Sequence, residues 1–449
     1  MGNRRTFIKT GAAGLLGLTV GGCGVLQKGA GADTGSTGAG TAGAATGVSP
    51  GDRIVMGMIG VGGMGMNRLR EFLDHNDVEI AAICDLDTRH LDEAAALVDA
   101  RRNRSPKTFH DFRQLLDMSD IDAVAIVTPD HWHAIPTVRA CEAEKDVFVE
   151  KPLSYSVAEG RAMVEAARTH ARVTQMGNHI HNDEHNYRRV VERIRSGQLG
   201  RISRVDIWKT SGTEGRGNPP DQQPPKELDY DFWLGPAPER PYNPLRSHGT
   251  FRHFWDYSGG TFIDFWCHIA DVAFWALDLQ APSTISATGG RYFIDDGTET
   301  PDTVHATFEF PQLLMTYTLH PNPMPGYEHM GHIGAVFVGE DATLVTNYTS
   351  HEVYVDGVRD DEFPEPALHI LNSPGHLREF LDGVKQRNLE TTCNVEYGHR
   401  LSKVGLLANI AYRTESMVHW DDAREDITRN PEARDLLSRT PRPPWTIST

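Results

Sequence analysis

Cysteine is scarce in this sequence, and its scarcity excludes two classes of small-protein architecture. The five cysteines among 449 residues, Cys23, Cys84, Cys141, Cys267 and Cys393, stand at irregular intervals. That spacing writes neither a disulfide framework nor a thiolate zinc site, and most of these side chains are expected to be buried as small apolar groups. Basic charge is also in short supply, with 44 Lys and Arg against 61 Asp and Glu for a formal net charge of −17. Such a balance excludes a nucleic-acid backbone as partner and favours neutral or cationic small molecules. Internal repeats are absent, and so is the H-E-x-x-H pattern of zinc peptidases. The one apolar stretch near the N-terminus, residues 11–20, is too short to span a membrane as a mature helix.

Glycine is plentiful, and it gathers where an apolar run ends. Residues 54–65 read Ile-Val-Met-Gly-Met-Ile-Gly-Val-Gly-Gly-Met-Gly, which contains the G-x-G-x-x-G pattern at Gly60, Gly62 and Gly65. Gly60 is expected to make the tight turn, Gly62 to admit a pyrophosphate against the backbone, and Gly65 to let the following helix pack on its strand. Gly63 and Met64 then open a helix whose free N–H groups suit phosphate. A second apolar run, 78–84, ends in Asp85, placed to hydrogen-bond an adenosine ribose hydroxyl. Strand, glycine loop, helix and acid together predict a dinucleotide site. Asp85 favours NAD over NADP because a carboxylate repels a 2′-phosphate, while the neighbouring Arg89 leaves NADP open.

The chain's length suggests two domains with appendages. Residues 1–28 read as an export signal: Arg4-Arg5-Thr6-Phe7-Ile8-Lys9 resembles a twin-arginine signal, and Val20-Gly21-Gly22-Cys23 resembles a lipobox in which Cys23 is lipidated. Residues 29–52, nearly all Gly, Ala, Thr and Ser, have too little apolar surface to fold and predict a tether. From 53 to 176, short β-branched runs at 54–59, 78–84, 123–127, 146–149 and 173–176 alternate with helical stretches, capped at Asp111 and by Ser156-Val157-Ala158-Glu159. This alternation predicts βαβ units and a doubly wound parallel sheet. From 177 to 449 a helix near 187–196 is followed by period-2 alternation at Val304/Ala306/Phe308/Phe310 and Leu313/Met315/Tyr317/Leu319, turning at Pro311-Gln312. The expected second domain is therefore α+β, with a large, mostly antiparallel open sheet. Residues 214–249, rich in Pro, Gly and charge, predict a long functional loop.

Three stretches offer chemistry. Thr128-Pro129-Asp130-His131-Trp132-His133 and Glu150-Lys151-Pro152 follow predicted strands, at the carboxyl edge where parallel sheets bind ligands; His131 and His133 are expected to flank the cofactor. The third, Gly259-Gly260-Thr261-Phe262-Ile263-Asp264-Phe265-Trp266-Cys267-His268, places Asp264 and His268 on one helical face. Histidines at 179, 181, 185, 248 and 253 cluster suggestively. A metal held by His179 and His181, or by Asp264, His268 and Asp271, competes with the dinucleotide chemistry for the same positions, and none is expected.

The glycine fingerprint, Glu150-Lys151-Pro152 and Gly-Gly-x-x-x-Asp-x-x-x-His, taken in order, resemble the Gfo/Idh/MocA oxidoreductases, named for glucose–fructose oxidoreductase and inositol dehydrogenase. The segments Phe232-Trp233-Leu234-Gly235-Pro236-Ala237-Pro238, Phe254-Trp255-Asp256 and Arg442-Pro443-Pro444-Trp445 resemble a branch of exported members. The resemblance implies a Rossmann domain joined to an α/β domain, NAD(P) between them, a sugar or polyol as substrate, and homo-oligomeric assembly. It puts the catalytic lysine at Lys151 and the Asp and His at Asp264 and His268. Chemically, His268 suits a base that removes a hydroxyl proton, Asp264 an orienting carboxylate, and Lys151 a donor to the reacting oxygen. Asn178, His179, Tyr187, Arg252 and His253 are expected to meet sugar hydroxyls. Phe265 and Trp266 stand where many members have small residues, and Trp266 is expected to narrow the pocket or stack on a sugar ring. The dinucleotide is expected to be tightly bound, because an exported protein meets little free NAD.

Overall fold

The computed structural model describes residues 52–182, 185–323 and 326–447. Arg4-Arg5, Cys23 and all of the expected tether but its last residue lie outside them. Among the described residues no helix is long and apolar enough to cross a membrane.

The first sheet has six strands: β1 (Ile54–Ile59), β2 (Val78–Cys84), β3 (Lys107–Phe109), β4 (Ala123–Ile126), β5 (Asp146–Glu150) and β6 (Thr174–Gly177). Their order is β3-β2-β1-β4-β5-β6 and every pairing is parallel. Such a sheet must be covered on both faces, which explains the nearly continuous apolar strands. Helix Gly63–Leu73 supplies Leu69 and Phe72 to one face, where Phe380 of helix His376–Gln386 joins them. Asp77 anchors that late helix, accepting from Arg378 at 2.9 Å and Lys385 at 2.5 Å. On the other face lie helices Ala134–Glu142 and Val157–Thr169. Asp111 and Ser156 cap their helices as their positions suggest, accepting from Arg113 N and Glu159 N. Strand β3 lay hidden in the sequence because Lys107-Thr108-Phe109 is too short and too exposed to show a pattern.

The second sheet has ten strands: β7 (Ile202–Thr210), β8 (Thr284–Gly290), β9 (Thr303–Phe310), β10 (Leu313–His320), β11 (Ile333–Gly339), β12 (Thr343–Thr346), β13 (His351–Val355), β14 (Val358–Arg359), β15 (Val418–Asp421) and β16 (Asp426–Ile427). They run β14-β13-β12-β11-β7-β10-β9-β8-β15-β16, antiparallel except where β10 meets β7. The β9–β10 hairpin pairs Phe310 with Leu313 and turns through Gln312 at φ +65°. Its period-2 alternation is the burial pattern itself, since Val304, Ala306, Phe308 and Phe310 are buried while His305 and Glu309 are exposed.

Helix Gly260–Leu277 lies on that face of the sheet, with helix Val395–Arg413 against it. It is apolar on nearly every side, as a helix enclosed by other elements must be. Gly260 starts it at φ +80°, where a Cβ would stand 2.7 Å from Thr300. Trp266 is fully buried here, its ring 4.9 Å from that of Phe308 and its indole N–H donating to Leu401 O at 2.8 Å. This corrects the expectation that Trp266 meets a sugar, because the residue points into the core between helix and sheet. The four described cysteines, Cys84, Cys141, Cys267 and Cys393, are all buried thiols. Trp266→Ala should therefore cost about 3–5 kcal/mol of folding stability, read from urea unfolding, and a loss below about 1 kcal/mol would show the indole is not a core anchor.

Candidate active site

The crevice lies outside the carboxyl ends of the parallel strands, where β1 and β4 lead to opposite sides of the sheet. Gly60, at φ +85°, carries the chain from β1 into the turn, and a Cβ there would lie 2.7 Å from Val127 O. At Gly65 a Cβ would lie 2.2 Å from Gly60 O, so only glycine lets the helix start so close to its strand. Gly63 has open space where its side chain would be, and Gly60, Gly62, Gly63 and Met64 line the cavity. Asp85 accepts from Val61 N at 2.7 Å and from Asp87 N at 2.9 Å, holding the glycine loop against the end of β2. Across the crevice, Thr128, Pro129 and His133 form the wall. Thr128 Oγ1 is buried there without a hydrogen-bond partner, and His133 places its ring nitrogens 2.8 Å from Pro152 O and 3.0 Å from Thr128 O. A glycine cradle, a helix N-terminus, a carboxylate at the ribose position and an orphaned hydroxyl fit a dinucleotide.

The second domain closes the adenosine edge of this crevice. The segment between β7 and helix Gly260–Leu277 reaches back to the first sheet, with Thr88 N donating to Glu227 O and Asp229 N to Leu86 O, each at 3.0 Å. His248 Nε2 meets Asp87 at 3.1 Å. The segment has its own apolar cluster, including Tyr230, Trp233, Phe251, Phe254 and Tyr257, which supports it as a structured strap. Asp87, His90 and His248 bring three ligating atoms within 4.8 Å of one another. Arg89 already donates to both oxygens of Asp87, at 2.9 and 2.5 Å, while His90 and His248 line the crevice in front of it. Residues so far apart in the chain gave no sign of this grouping in the sequence.

At the other end, Lys151 Nζ donates to Asp264 Oδ1 at 2.5 Å and to Asp264 O at 3.1 Å, while Arg252 Nε donates to the same Oδ1 at 3.0 Å. Burial opposes the charge on Asp264, but the two cations overcome it and hold the carboxyl well below its usual range. Burial, then Lys151 and His179, depress the His268 imidazole well below its ordinary value of 6.5, leaving it neutral. Its ring faces those of His179 at 5.8 Å, Phe265 at 5.6 Å and Tyr348 at 6.3 Å. Asp264 does not hydrogen-bond His268. The expectation that it orients the imidazole is corrected, since its one engaged oxygen is shared by Lys151 and Arg252. Glu150 lines the crevice, but its carboxylate accepts from Arg68 Nε at 2.6 Å, a partner the sequence did not suggest.

Three further expectations change. His131 does not flank the cofactor: it is fully buried, its Nε2 is 3.0 Å from Trp233 O, and burial reinforced by Arg439 pushes its pKa down to about 3. Asn178 is fully buried and donates to Cys267 O at 2.9 Å and Asp271 Oδ2 at 2.8 Å, fixing the helix that carries Asp264 and His268. Tyr187 is also fully buried, its ring 5.5 Å from that of Tyr348. His181, not offered as a sugar contact, is tied to Asp271 at 2.9 Å. Arg252 and His179 remain beside Asp264 and His268, and half-buried His253 follows Arg252, its imidazole pushed down to about 4 by burial and Arg216.

Comparison with known proteins places this geometry. Residues 54–178 match the oxidoreductase family's NAD-binding Rossmann fold, and residues 186–447 match the family's C-terminal alpha/beta domain. The chain belongs to the Gfo/Idh/MocA oxidoreductase family. NAD is its cofactor. Its fold resembles the aldose–aldose oxidoreductase of Caulobacter crescentus, with a TM-score of 0.60 at 17% identity over 82% of this chain and 99% of that one. It also resembles the WlbA dehydrogenase of Bordetella pertussis bound to NADH and UDP-GlcNAcA, with a TM-score of 0.57 at 18% identity and coverage of 82% and 99%. Among curated proteins, a glycosyl hydrolase family 109 protein of Shewanella pealeana is 33% identical over 159 residues, 34% of each chain. The match thus spans about a third of that relative's length. Asp85→Ala should weaken NAD binding by about 10-fold, the worth of a hydrogen bond to a charged acceptor, and weaken NADP less. Titrating both dinucleotides into cofactor-stripped protein checks this, and an equal loss for both would reduce Asp85 to a support of the glycine loop.

Proposed function

We propose that this protein is an NAD-dependent oxidoreductase that oxidises a ring hydroxyl of a sugar, glycoside or polyol, and that it works outside the inner membrane with its cofactor retained. The observation that carries the reading is the meeting of Lys151, from the end of β5, with Asp264 and half-buried, neutral His268 at the end of the NAD crevice. NAD, when bound, supplies the hydride acceptor. Lys151 donates a hydrogen bond to the reacting oxygen as negative charge grows there, and Asp264 keeps that ammonium in place. His268, neutral and half-buried, accepts the hydroxyl proton. Asn178 positions the helix bearing both residues by binding Cys267 O and Asp271.

Two observations support retention of the cofactor. The strap covers the adenosine edge through backbone hydrogen bonds at Thr88 and Leu86, so release requires opening a structured segment. Arg4-Arg5 resembles a signal for export after folding, and free NAD is scarce outside the cytoplasm. A retained cofactor needs a dissociation constant below about 1 μM, or more than about 8 kcal/mol of binding. The likeness to a glycosyl hydrolase family 109 protein favours a second reading on the same residues, in which the sugar is oxidised, eliminates its substituent, takes up water and is reduced again by the same hydride, so that the net reaction is hydrolysis.

The decisive experiment purifies the protein without residues 1–28, exchanges its buffer exhaustively, denatures it and assays released dinucleotide. Near-stoichiometric NAD(H) is expected, and turnover strictly proportional to added NAD would overturn retention. Mass analysis of products from a panel of sugars and glycosides separates the readings: a ketosugar marks the dehydrogenase, and a free aglycone without net redox marks the hydrolase. Lys151→Met and His268→Asn should each lower kcat by about 10²-fold or more with sugar binding retained, and undiminished turnover would remove that residue from the mechanism. Because the folded-state pKa of His268 is depressed, its base form persists as pH falls. The acid limb of kcat/KM should lie well below pH 6.5, and a limb at or above that value would exclude His268 as the base.

A further inference from the structure

Lys209 carries a charge that the fold itself leaves largely unanswered. It stands near the end of β7, on the sheet face shared by the buried Val205 and Ile207 and turned toward helix Gly260–Leu277. Its Nζ lies 4.4 Å from the centroid of the Phe265 ring, and that ring lies 5.6 Å from His268. The ammonium donates to the carbonyl of its chain neighbour Thr210. It makes no salt bridge among the described residues, and the one charge named as acting on it is that of Asp264. Asp264 is already engaged by Lys151 and Arg252. The nearest acid along its own strand, Asp206, serves the other face of the sheet, binding Arg204 and Thr316. At the crevice end, Glu150 is neutralised by Arg68.

Three cations, Lys151, Arg252 and Lys209, surround the carboxylate of Asp264 within a chain of net charge −17; Asp130 also acts on Arg252, but burial raises its carboxyl above the usual range and favours its neutral form. A half-buried ammonium with unfilled donor capacity is costly, and a purely structural lysine would be set beside an acid or left in water. Its place beside the catalytic cluster, above an aromatic face, suits a ligand that brings the missing negative charge. The chain's overall acidity points to neutral or cationic ligands, but the field at this site has the opposite sign, and a bound molecule experiences the site.

We propose that the substrate carries an anionic substituent, a carboxylate as in a hexuronic acid or its glycoside, which Lys209 holds while the reacting hydroxyl faces Lys151 and His268. This rests on the carbohydrate reading above and specifies its substrate class. The pair of groups then divides recognition: Lys209 selects the acid, and Lys151 with His268 handles the hydroxyl.

The test uses the NAD-loaded protein and calorimetric titration with three probes: a methyl hexuronoside, the corresponding neutral methyl hexoside and its 6-sulfate. The uronoside should bind at least about 10-fold more tightly than the neutral sugar, the worth of one charge-assisted hydrogen bond, and the preference should shrink as salt rises. Lys209→Met should erase the preference, acting on KM more than kcat, while leaving affinity for the neutral sugar within about twofold. Equal wild-type affinity for the acidic and neutral sugars overturns the proposal whether or not the variant folds. An equal loss for both sugars in the variant also overturns it, and a 6-sulfate that binds more tightly than the uronoside replaces the carboxylate with a sulfate ester. Turnover or binding of neutral sugars alone leaves the carbohydrate reading standing without this proposal; no binding of any sugar removes that reading itself.

Discussion

Everything at the reactive end of the crevice depends on one carboxylate oxygen. Asp264 Oδ1 accepts from Lys151, which belongs to the parallel sheet, and from Arg252, which belongs to the segment entering the second domain's helix. Burial opposes the charge on Asp264, and the two cations together outweigh it. The pairing therefore fixes the distance between the end of β5 and the helix that carries His268. The same charge cluster helps keep His268 neutral, because Lys151 disfavours its protonation. The ion cluster that joins the two domains is thus also what helps set the charge state of His268.

Packing behind the site gives that arrangement its rigidity. Asn178, just past the end of β6, binds Cys267 O and Asp271 Oδ2, on the same helix as Asp264 and His268. Trp266 fills the space between the helix and the ten-stranded sheet, with its N–H tied to Leu401. The polar groups are held by neighbours that are themselves locked, which is how a constellation keeps its geometry through a proton transfer. On the opposite side of the crevice the requirement differs. Gly60 and Gly65 hold no chemistry, but the backbone could not pass so close to Val127 and to itself with any larger residue.

Strand periodicity and glycine spacing made much of the fold legible. The runs at 54–59 and 78–84 are β1 and β2 to the residue, and the 304–319 alternation is a hairpin with its turn at Gln312. What stayed hidden depends on pairings remote in the chain. Trp266 and Tyr187 looked like ligand contacts because aromatics near a motif read alike whether they face a pocket or a core, and only the sheet beneath decides. His131 and His133 are two apart, yet one turns into the aromatic cluster of the strap and the other toward the crevice. Asp264 and His268 share a helix face as their spacing requires, but spacing could not reveal that Arg252 and Lys151 compete for the acid. Lys209 carried no signal, since a lysine near the end of a strand is ordinarily a solvated charge.

The far wall of the crevice is buttressed from a remote part of the chain. Trp445 packs against Trp132 at 4.8 Å and Phe232 at 4.6 Å, and Arg442 donates to Gly235 O at 3.0 Å. Phe232 and Trp132 line the adenosine edge of the crevice. The far wall of the crevice is thus held by contacts between residues of very large sequence separation. Loosening the Trp445 contact would therefore be felt at the adenosine edge of the crevice, although Trp445 itself stands behind that wall.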